Sequence, residues 1–146
     1  MPEESITARL DLLDQYVRDL RETRAPSYAA YESDKMLRRY TERMLHMTVD
    51  ACVQIGINLL TQENLRSPAN YHDVFIVLGE RGILSKDTVD CMTAMVEFRN
   101  LLVYEPSTVD DTIVYGFAKK RLSNFTNFAN AVREYSKHTT VDSAGF

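Results

Sequence analysis

The stretch that decides the fold is EFRNLLVYEP, which runs from Glu97 to Pro106. Apolar residues at helical spacing precede it, namely Met92, Met95 and Val96. A helix therefore places the guanidinium of Arg99 on its buried face. A permanent charge is costly to bury without a partner. Two interpretations are open: an ion pair with a carboxylate across a helix packing, or a cation that binds phosphate in a groove between helices.

Standard start and stop signals bound this helix. Ser85 is the expected N-cap, and Asp87 lies in the first turn, where the helix dipole favours an acid. Pro106 ends the helix because its ring cannot continue the hydrogen-bond ladder. The sequence thus predicts a helix from Ser85 to Pro106.

Apolar residues at intervals of three and four predict further helices on both sides of this one. The predicted ranges are Glu4 to Arg24, Asp34 to Gln62, Tyr71 to Arg81 with a left-handed cap at Gly82, and Asp110 to Lys137. With five glycines, four prolines and 45% hydrophobic residues, the 146-residue chain has little material for the turns of a β protein. We expect an all-α, antiparallel up-down bundle of about five helices. A single domain, 1–137, is predicted, with a disordered tail, 138–146.

Three features of the predicted helices leave alternatives open. Gly56, inside the long second helix, marks either a close helix approach or a weak point. His46 lies off the main apolar stripe of that helix, as surface histidines usually do. The run Lys119-Lys120-Arg121 in the last helix is either a solvated face or the border of the groove that holds Arg99.

Composition narrows the functional classes. The net charge of −4 argues against broad coating of nucleic acid, although a local basic groove is compatible with it. The sequence has no glycine-rich phosphate loop, paired-cysteine motif or clustered histidines, so no metal and no cofactor are predicted. The lone thiols of Cys52 and Cys91 suggest a cytoplasmic protein. No signal peptide or membrane span is expected.

The stretch around Arg99 resembles the signature of the HepT-like proteins, members of the HEPN superfamily. Arg99-Asn100-Leu101-Leu102-Val103-Tyr104-Glu105-Pro106 and Val109-Asp110-Asp111 are similar to Arg-Asn-x-Leu-Val-His-x-Tyr followed by Ile-Asp or Val-Asp. Further similarities cover about Lys35 to Tyr135: Glu42-Arg43-x-Leu45, Leu65-Arg66-x-Pro68, Tyr71, Phe75, Gly82-Ile83-Leu84, Val114-Tyr115 and Lys120-Arg121-Leu122.

The resemblance implies an all-α homodimer with the motif arginines of both subunits near a shared cleft. It implies the toxin half of a toxin–antitoxin pair, a metal-independent RNase whose antitoxin is the small nucleotidyltransferase MntA. In that family the motif Arg and His act on the RNA phosphate, and the motif Tyr accepts AMP from the antitoxin. The candidate catalytic residues here are Arg99, Asn100 and Tyr104, and the candidate RNA-binding residues are Arg99, Lys119, Lys120 and Arg121.

Two motif positions depart from the family pattern. Tyr104 stands in the histidine slot, and a phenol with a pKa of about 10 is a poor proton carrier at neutral pH. Its presence should cost roughly 10²- to 10⁴-fold in rate if the family mechanism applies. Pro106 stands in the tyrosine slot and has no hydroxyl, so it cannot accept AMP.

Two functions are therefore predicted. The favoured one is a binding module: the dimeric fold binds RNA, a partner nucleotidyltransferase or both, and cleavage is impaired. The alternative is an active metal-independent endoribonuclease in which Arg99 holds the phosphate and Tyr104 or His46 moves the proton.

Overall fold

The computed structural model describes the backbone of residues 2–145 and the side chains of residues 6–138. Every regular element of this part of the chain is helical. The helices are α1 (Pro2–Glu22), α2 (Tyr28–Glu32), α3 (Lys35–Gln62), α4 (Tyr71–Glu80), α5 (Lys86–Tyr104), a 3-10 turn (Pro106–Thr108), α6 (Asp111–Lys120) and α7 (Leu122–Gly145).

The all-α class is confirmed, but the described backbone has seven α-helices rather than about five. One addition is α2, which forms within the predicted connection because Ser27 caps it by accepting from Ala30 N. The other arises because the predicted last helix is interrupted at Arg121, where the backbone leaves helical geometry. No glycine or proline marks that break.

Local sequence signals set most helix boundaries. The side chains of Asp34, Ser85 and Asp110 each accept a hydrogen bond from a backbone N–H in the first turn of the helix that follows. Gly82, with φ of 83°, has the left-handed conformation predicted for it after α4. Helix α7 continues to Gly145, beyond the predicted end at Lys137. Disorder of the tail, 138–146, stays a prediction, and Phe146 lies outside the described residues.

Helix α3 is the centre of the fold. Its 28 residues extend about 42 Å at 1.5 Å per residue, and it contacts each of the other six described helices. Its buried face carries Leu45, Cys52 and Ile55. The core continues to α4 and α7, where the rings of Phe75 and Phe128 meet edge to face with centroids 5.5 Å apart.

An ion-pair clasp joins α1 to α7. The guanidinium of Arg133 lies 2.8 Å from a carboxylate oxygen of Asp14 and 3.4 Å from one of Asp11. Apolar residues of both helices are buried beneath it, including Leu13 and Val132. The first and last helices therefore lie side by side.

Gly56 is the point of closest approach between α3 and α4. A Cβ atom added there would lie 2.4 Å from Cγ1 of Val74. That separation is well inside van der Waals contact, and a β-branched side chain has few rotamers into which it can move. The interpretation of Gly56 as a close helix approach is therefore confirmed.

We expect Gly56→Ala to lower the free energy of unfolding by about 1–3 kcal/mol, because overpacking forces α3 and α4 apart. Gly116 in α6 is the matched control, since a Cβ there meets nothing within 4 Å. Gly116→Ala should stabilise the protein by about 0.5–1 kcal/mol through helix propensity. Chemical denaturation of the two variants measures both effects, and equal stabilisation by both would contradict the close approach.

Candidate functional site

Arg99 lies on the face of α5 that packs against α3, and the residue is only 9% exposed. Its Nε donates to Oδ1 of Asp50 in α3 at 2.8 Å. The Asp50 side chain is partly solvent-exposed. The first interpretation of Arg99, an ion pair across a helix packing, is therefore the geometry observed. Phosphate binding by the same guanidinium stays a prediction.

Asp50 also joins Arg99 to a histidine. Its second carboxylate oxygen, Oδ2, lies 2.9 Å from Nε2 of His46, one turn earlier on α3. Nδ1 of the same ring faces NH1 of the exposed Arg43 at 3.4 Å. His46, Asp50, Arg99 and Asn100 together are called the Arg99 cluster below.

Neighbouring polar and aromatic groups complete the surroundings of the guanidinium. NH1 of Arg99 donates to Oδ1 of Asn100 at 3.1 Å. The ring of Tyr71 from α4 lies 5.1 Å from the guanidinium carbon, and the ring of Tyr104 lies 6.0 Å from it. Both distances are typical of cation–π contacts. The structure thus brings together the three candidate catalytic residues Arg99, Asn100 and Tyr104.

The guanidinium remains charged under all ordinary conditions. Burial lowers the pKa of Arg99, but hydrogen bonds to Asp50 and Tyr104 more than offset this, so its pKa lies above the usual value. A guanidinium has five N–H donors, and Asp50 and Asn100 accept from two of them. Tyr104 is 72% exposed, so its ring can move aside. Donors therefore remain for an anion that approaches from the Tyr104 side.

The basic run Lys119-Lys120-Arg121 is exposed at the end of α6 and makes its contacts elsewhere. The guanidinium carbon of Arg121 lies 5.7 Å from the centre of the Phe117 ring. Phe117 in turn stacks face to face on Phe98, with centroids 4.1 Å apart. Because consecutive residues of a helix point about 100° apart, this stack occupies a different side of α5 from Arg99. A border between the basic run and the groove stays a prediction.

Sequence reasoning did not identify Asp50 or Tyr71 as partners of Arg99. The available signal for Asp50 was its spacing of four residues from His46 on a predicted helix, which places both side chains on one face. No comparable signal existed for Tyr71, because only the packing of α4 against α5 brings its ring over the guanidinium. His46 is partly buried.

Comparison with known proteins decides the family. The family model described as "Ribonuclease HepT-like" matches residues 13–132. The chain belongs to the HepT-like family. Its departures from the family motif, Tyr104 and Pro106, therefore lie within a recognised HepT-like domain.

Two curated relatives are named as HepT nucleases. The chain is 26% identical over 132 residues to the "tRNA nuclease HepT" of Aphanizomenon flos-aquae, covering 89% of this chain and 88% of the relative. It is 24% identical over 89 residues to the "mRNA nuclease HepT" of Shewanella oneidensis, covering 61% of this chain and 67% of the relative. The two HepT-like relatives are thus named for different RNA targets.

Solved structures of HepT-like and related proteins share the fold. The tri-AMPylated HEPN toxin of Shewanella oneidensis, in complex with its MNT antitoxin, has a TM-score of 0.82 at 19% identity, with 88% of this chain and 96% of that chain covered. YutE of Bacillus subtilis, a cytosolic protein of unknown function, also has a TM-score of 0.82, at 14% identity, with 94% and 92% covered. At these identities the similarity establishes the helical architecture.

Two searches of this HepT-like chain bear on other kinds of site. None of the described helices is long and apolar enough to cross a membrane. Within the described side chains, no three His, Cys, Asp or Glu residues converge as metal donors.

Proposed function

We propose that this HepT-like chain is an RNA-binding member of a toxin–antitoxin pair whose RNA cleavage is slow. Arg99 holds a backbone phosphate, and Asn100 and Tyr104 border the same position. The observation that carries the proposal is the fixed guanidinium: Asp50 accepts from its Nε at 2.8 Å, and further donors remain for an anion. A forked cation of this kind binds phosphate oxygens in a bidentate manner.

Slow cleavage follows from the residue in the histidine slot. A phenol exchanges protons poorly at neutral pH, so Tyr104 does not replace a motif imidazole in proton transfer. Arg99 can still stabilise the charge that develops on the phosphate. Binding is therefore retained while the proton-transfer step is weakened.

The proposed partners are a second copy of the chain and a nucleotidyltransferase antitoxin. Complexes of HEPN toxins with MNT antitoxins among the structural neighbours support the second partner. Pro106 has no hydroxyl to accept AMP, so the antitoxin would act on this chain by binding rather than by modification at that position. A homodimer would bring two copies of Arg99 to one cleft, and the cytoplasm is the compartment that contains both RNA and antitoxin.

Lys119, Lys120 and Arg121 are proposed to extend the RNA-binding surface. They are the densest basic run of the chain and are exposed at the end of α6. In a chain of net charge −4, such a local patch would account for attraction to RNA through counterion release. Binding should then weaken as salt is raised.

Replacing Arg99 by alanine tests the proposed phosphate site. We expect Arg99→Ala to weaken binding to a single-stranded RNA roughly 10- to 100-fold, the equivalent of losing charge-assisted hydrogen bonds. Arg66→Ala is the matched control, because Arg66 is also an ion-paired arginine, held by Asp73 and Glu80 at the α4 side of the bundle. Fluorescence anisotropy at fixed salt measures both. Equal affinity of the parent and Arg99→Ala would refute the proposal.

The alternative is an active endoribonuclease neutralised by an MntA-type antitoxin. The contact between His46 and Asp50 favours it, since this contact places an imidazole in the Arg99 cluster. The parental rate decides between the two: cleavage in chelator as fast as that of a HepT-like nuclease with the motif histidine would favour the alternative.

A further inference from the structure

The imidazole of His46 is held between an acceptor and a cation. A carboxylate oxygen only accepts hydrogen bonds, so Nε2 of His46 carries the proton that faces Oδ2 of Asp50 at 2.9 Å. Nδ1 of the neutral ring then has the lone pair. Its neighbour is NH1 of Arg43 at 3.4 Å, a long contact made by an exposed and flexible side chain. Asp50 therefore fixes the tautomer in which Nδ1 can accept a proton.

The same carboxylate sets the position of this base relative to Arg99. Asp50 accepts from Nε of Arg99 through Oδ1 while it accepts from His46 through Oδ2. An imidazole and two guanidinium groups, those of Arg43 and Arg99, thus lie around one carboxylate. A phosphodiester bound by the two arginines would have Nδ1 of His46 beside it.

We propose that His46 is the catalytic base for the slow RNA cleavage of this chain, with Asp50 as its positioning residue. The inference rests on the proposed function, since it requires RNA at Arg99. It transfers the proton-accepting role from the motif position on α5, where Tyr104 stands, to α3. The substrate class is single-stranded RNA with a free 2′-hydroxyl next to the bound phosphate.

The step is a transesterification within the RNA. Nδ1 of His46 takes the proton of the 2′-hydroxyl, and the 2′-oxygen forms a bond to the adjacent phosphorus. The bond from phosphorus to the 5′-oxygen breaks, and that oxygen takes a proton from water. The products are a 2′,3′-cyclic phosphate and a 5′-hydroxyl, with no change of oxidation state. Water is a weak acid for the leaving oxygen, which is consistent with slow cleavage.

His46→Gln tests the assignment because the glutamine amide can still donate to Asp50 but cannot accept the proton. His138→Gln is the matched control, since His138 also contacts a carboxylate one turn earlier, Glu134, at 3.0 Å, but on α7. The substrates are a labelled single-stranded RNA and the same oligonucleotide with 2′-deoxyribose throughout, incubated in chelator. We expect His46→Gln to slow RNA cleavage by roughly 10²-fold or more, with unchanged RNA affinity. His138→Gln should cleave at the parental rate, and the deoxy substrate should stay intact.

The pH profile separates a catalytic from a structural role. The charged and titratable groups on this side of the bundle are Arg43 and Asp50 on α3, Arg99 and Tyr104 on α5, and Tyr71 on α4. An imidazole base makes the rate rise with pH and level off near neutrality, whereas a phenol would make it rise to about pH 10. The plateau should disappear in His46→Gln.

Several results would overturn the inference. They are parental cleavage by His46→Gln, equal loss of cleavage and RNA affinity in that variant, cleavage of the deoxy substrate, or no cleavage by the parent. RNA binding that depends on Arg99 would leave the proposed function standing in each of these cases. Absence of RNA binding by the parent would overturn both.

Discussion

Replacing Tyr104 by histidine is expected to raise RNA cleavage by roughly 10²- to 10⁴-fold, the usual contribution of a positioned acid or base. The ring at this position lies 6.0 Å from the guanidinium carbon of Arg99 and is largely exposed. An imidazole there would meet a phosphate held by Arg99 and could protonate the leaving oxygen. Single-turnover cleavage of a labelled RNA in chelator measures the gain.

Tyr104→Phe is the control at the same position, because it removes the hydroxyl without adding a proton carrier. Its rate should equal that of the parent. A gain in Tyr104→Phe would mean that ring geometry rather than proton transfer limits the rate. No gain in Tyr104→His, with RNA binding intact, would contradict the view that the missing histidine causes the slow step.

Phe128→Ala is expected to destabilise the protein by about 3–5 kcal/mol, a large part of the stability of a domain of this size. The side chain is completely buried, and its ring packs edge to face on Phe75 at 5.5 Å. Truncation removes this contact and leaves a cavity between α4 and α7 that rigid neighbours fill only in part. Urea denaturation followed by circular dichroism measures the change.

Ile76→Ala on α4 provides the control for that truncation, since Ile76 is among the exposed apolar residues. It should change the free energy of unfolding by less than about 0.5 kcal/mol. Comparable losses in both variants would contradict the position of Phe128 in the core. A loss confined to Phe128→Ala would support it.

The helices were predictable because their signals are local. The apolar spacing of α1, from Ile6 to Leu20, is the face found buried. Ser85 and Asp110 cap the helices that follow them, and Gly82 has a positive φ after α4. Each of these depends on residues a few positions apart, so a single sequence contains the information. The break at Arg121 was not predictable, because no residue there disfavours a helix.

The site was predictable only in part. The position of Arg99 on an apolar face signalled that it needed a partner, but not which carboxylate would supply it. Asp50 is 49 residues away in sequence, and its choice depends on the register between α3 and α5. That register is set by many apolar contacts, none of which has a sequence signature. The pairing of His46 with Asp50 is local and could have been found from its spacing.

The clasp of Arg133 on Asp11 and Asp14 has a consequence for synthesis in the cell. Helix α7, which carries Arg133, covers both α1 and α5, and translation makes it last. A nascent polypeptide on the ribosome therefore leaves the underside of α5, with its arginine, without support until α7 emerges. A stalled or prematurely terminated product would be degraded as unfolded protein and would not persist as a weakened toxin.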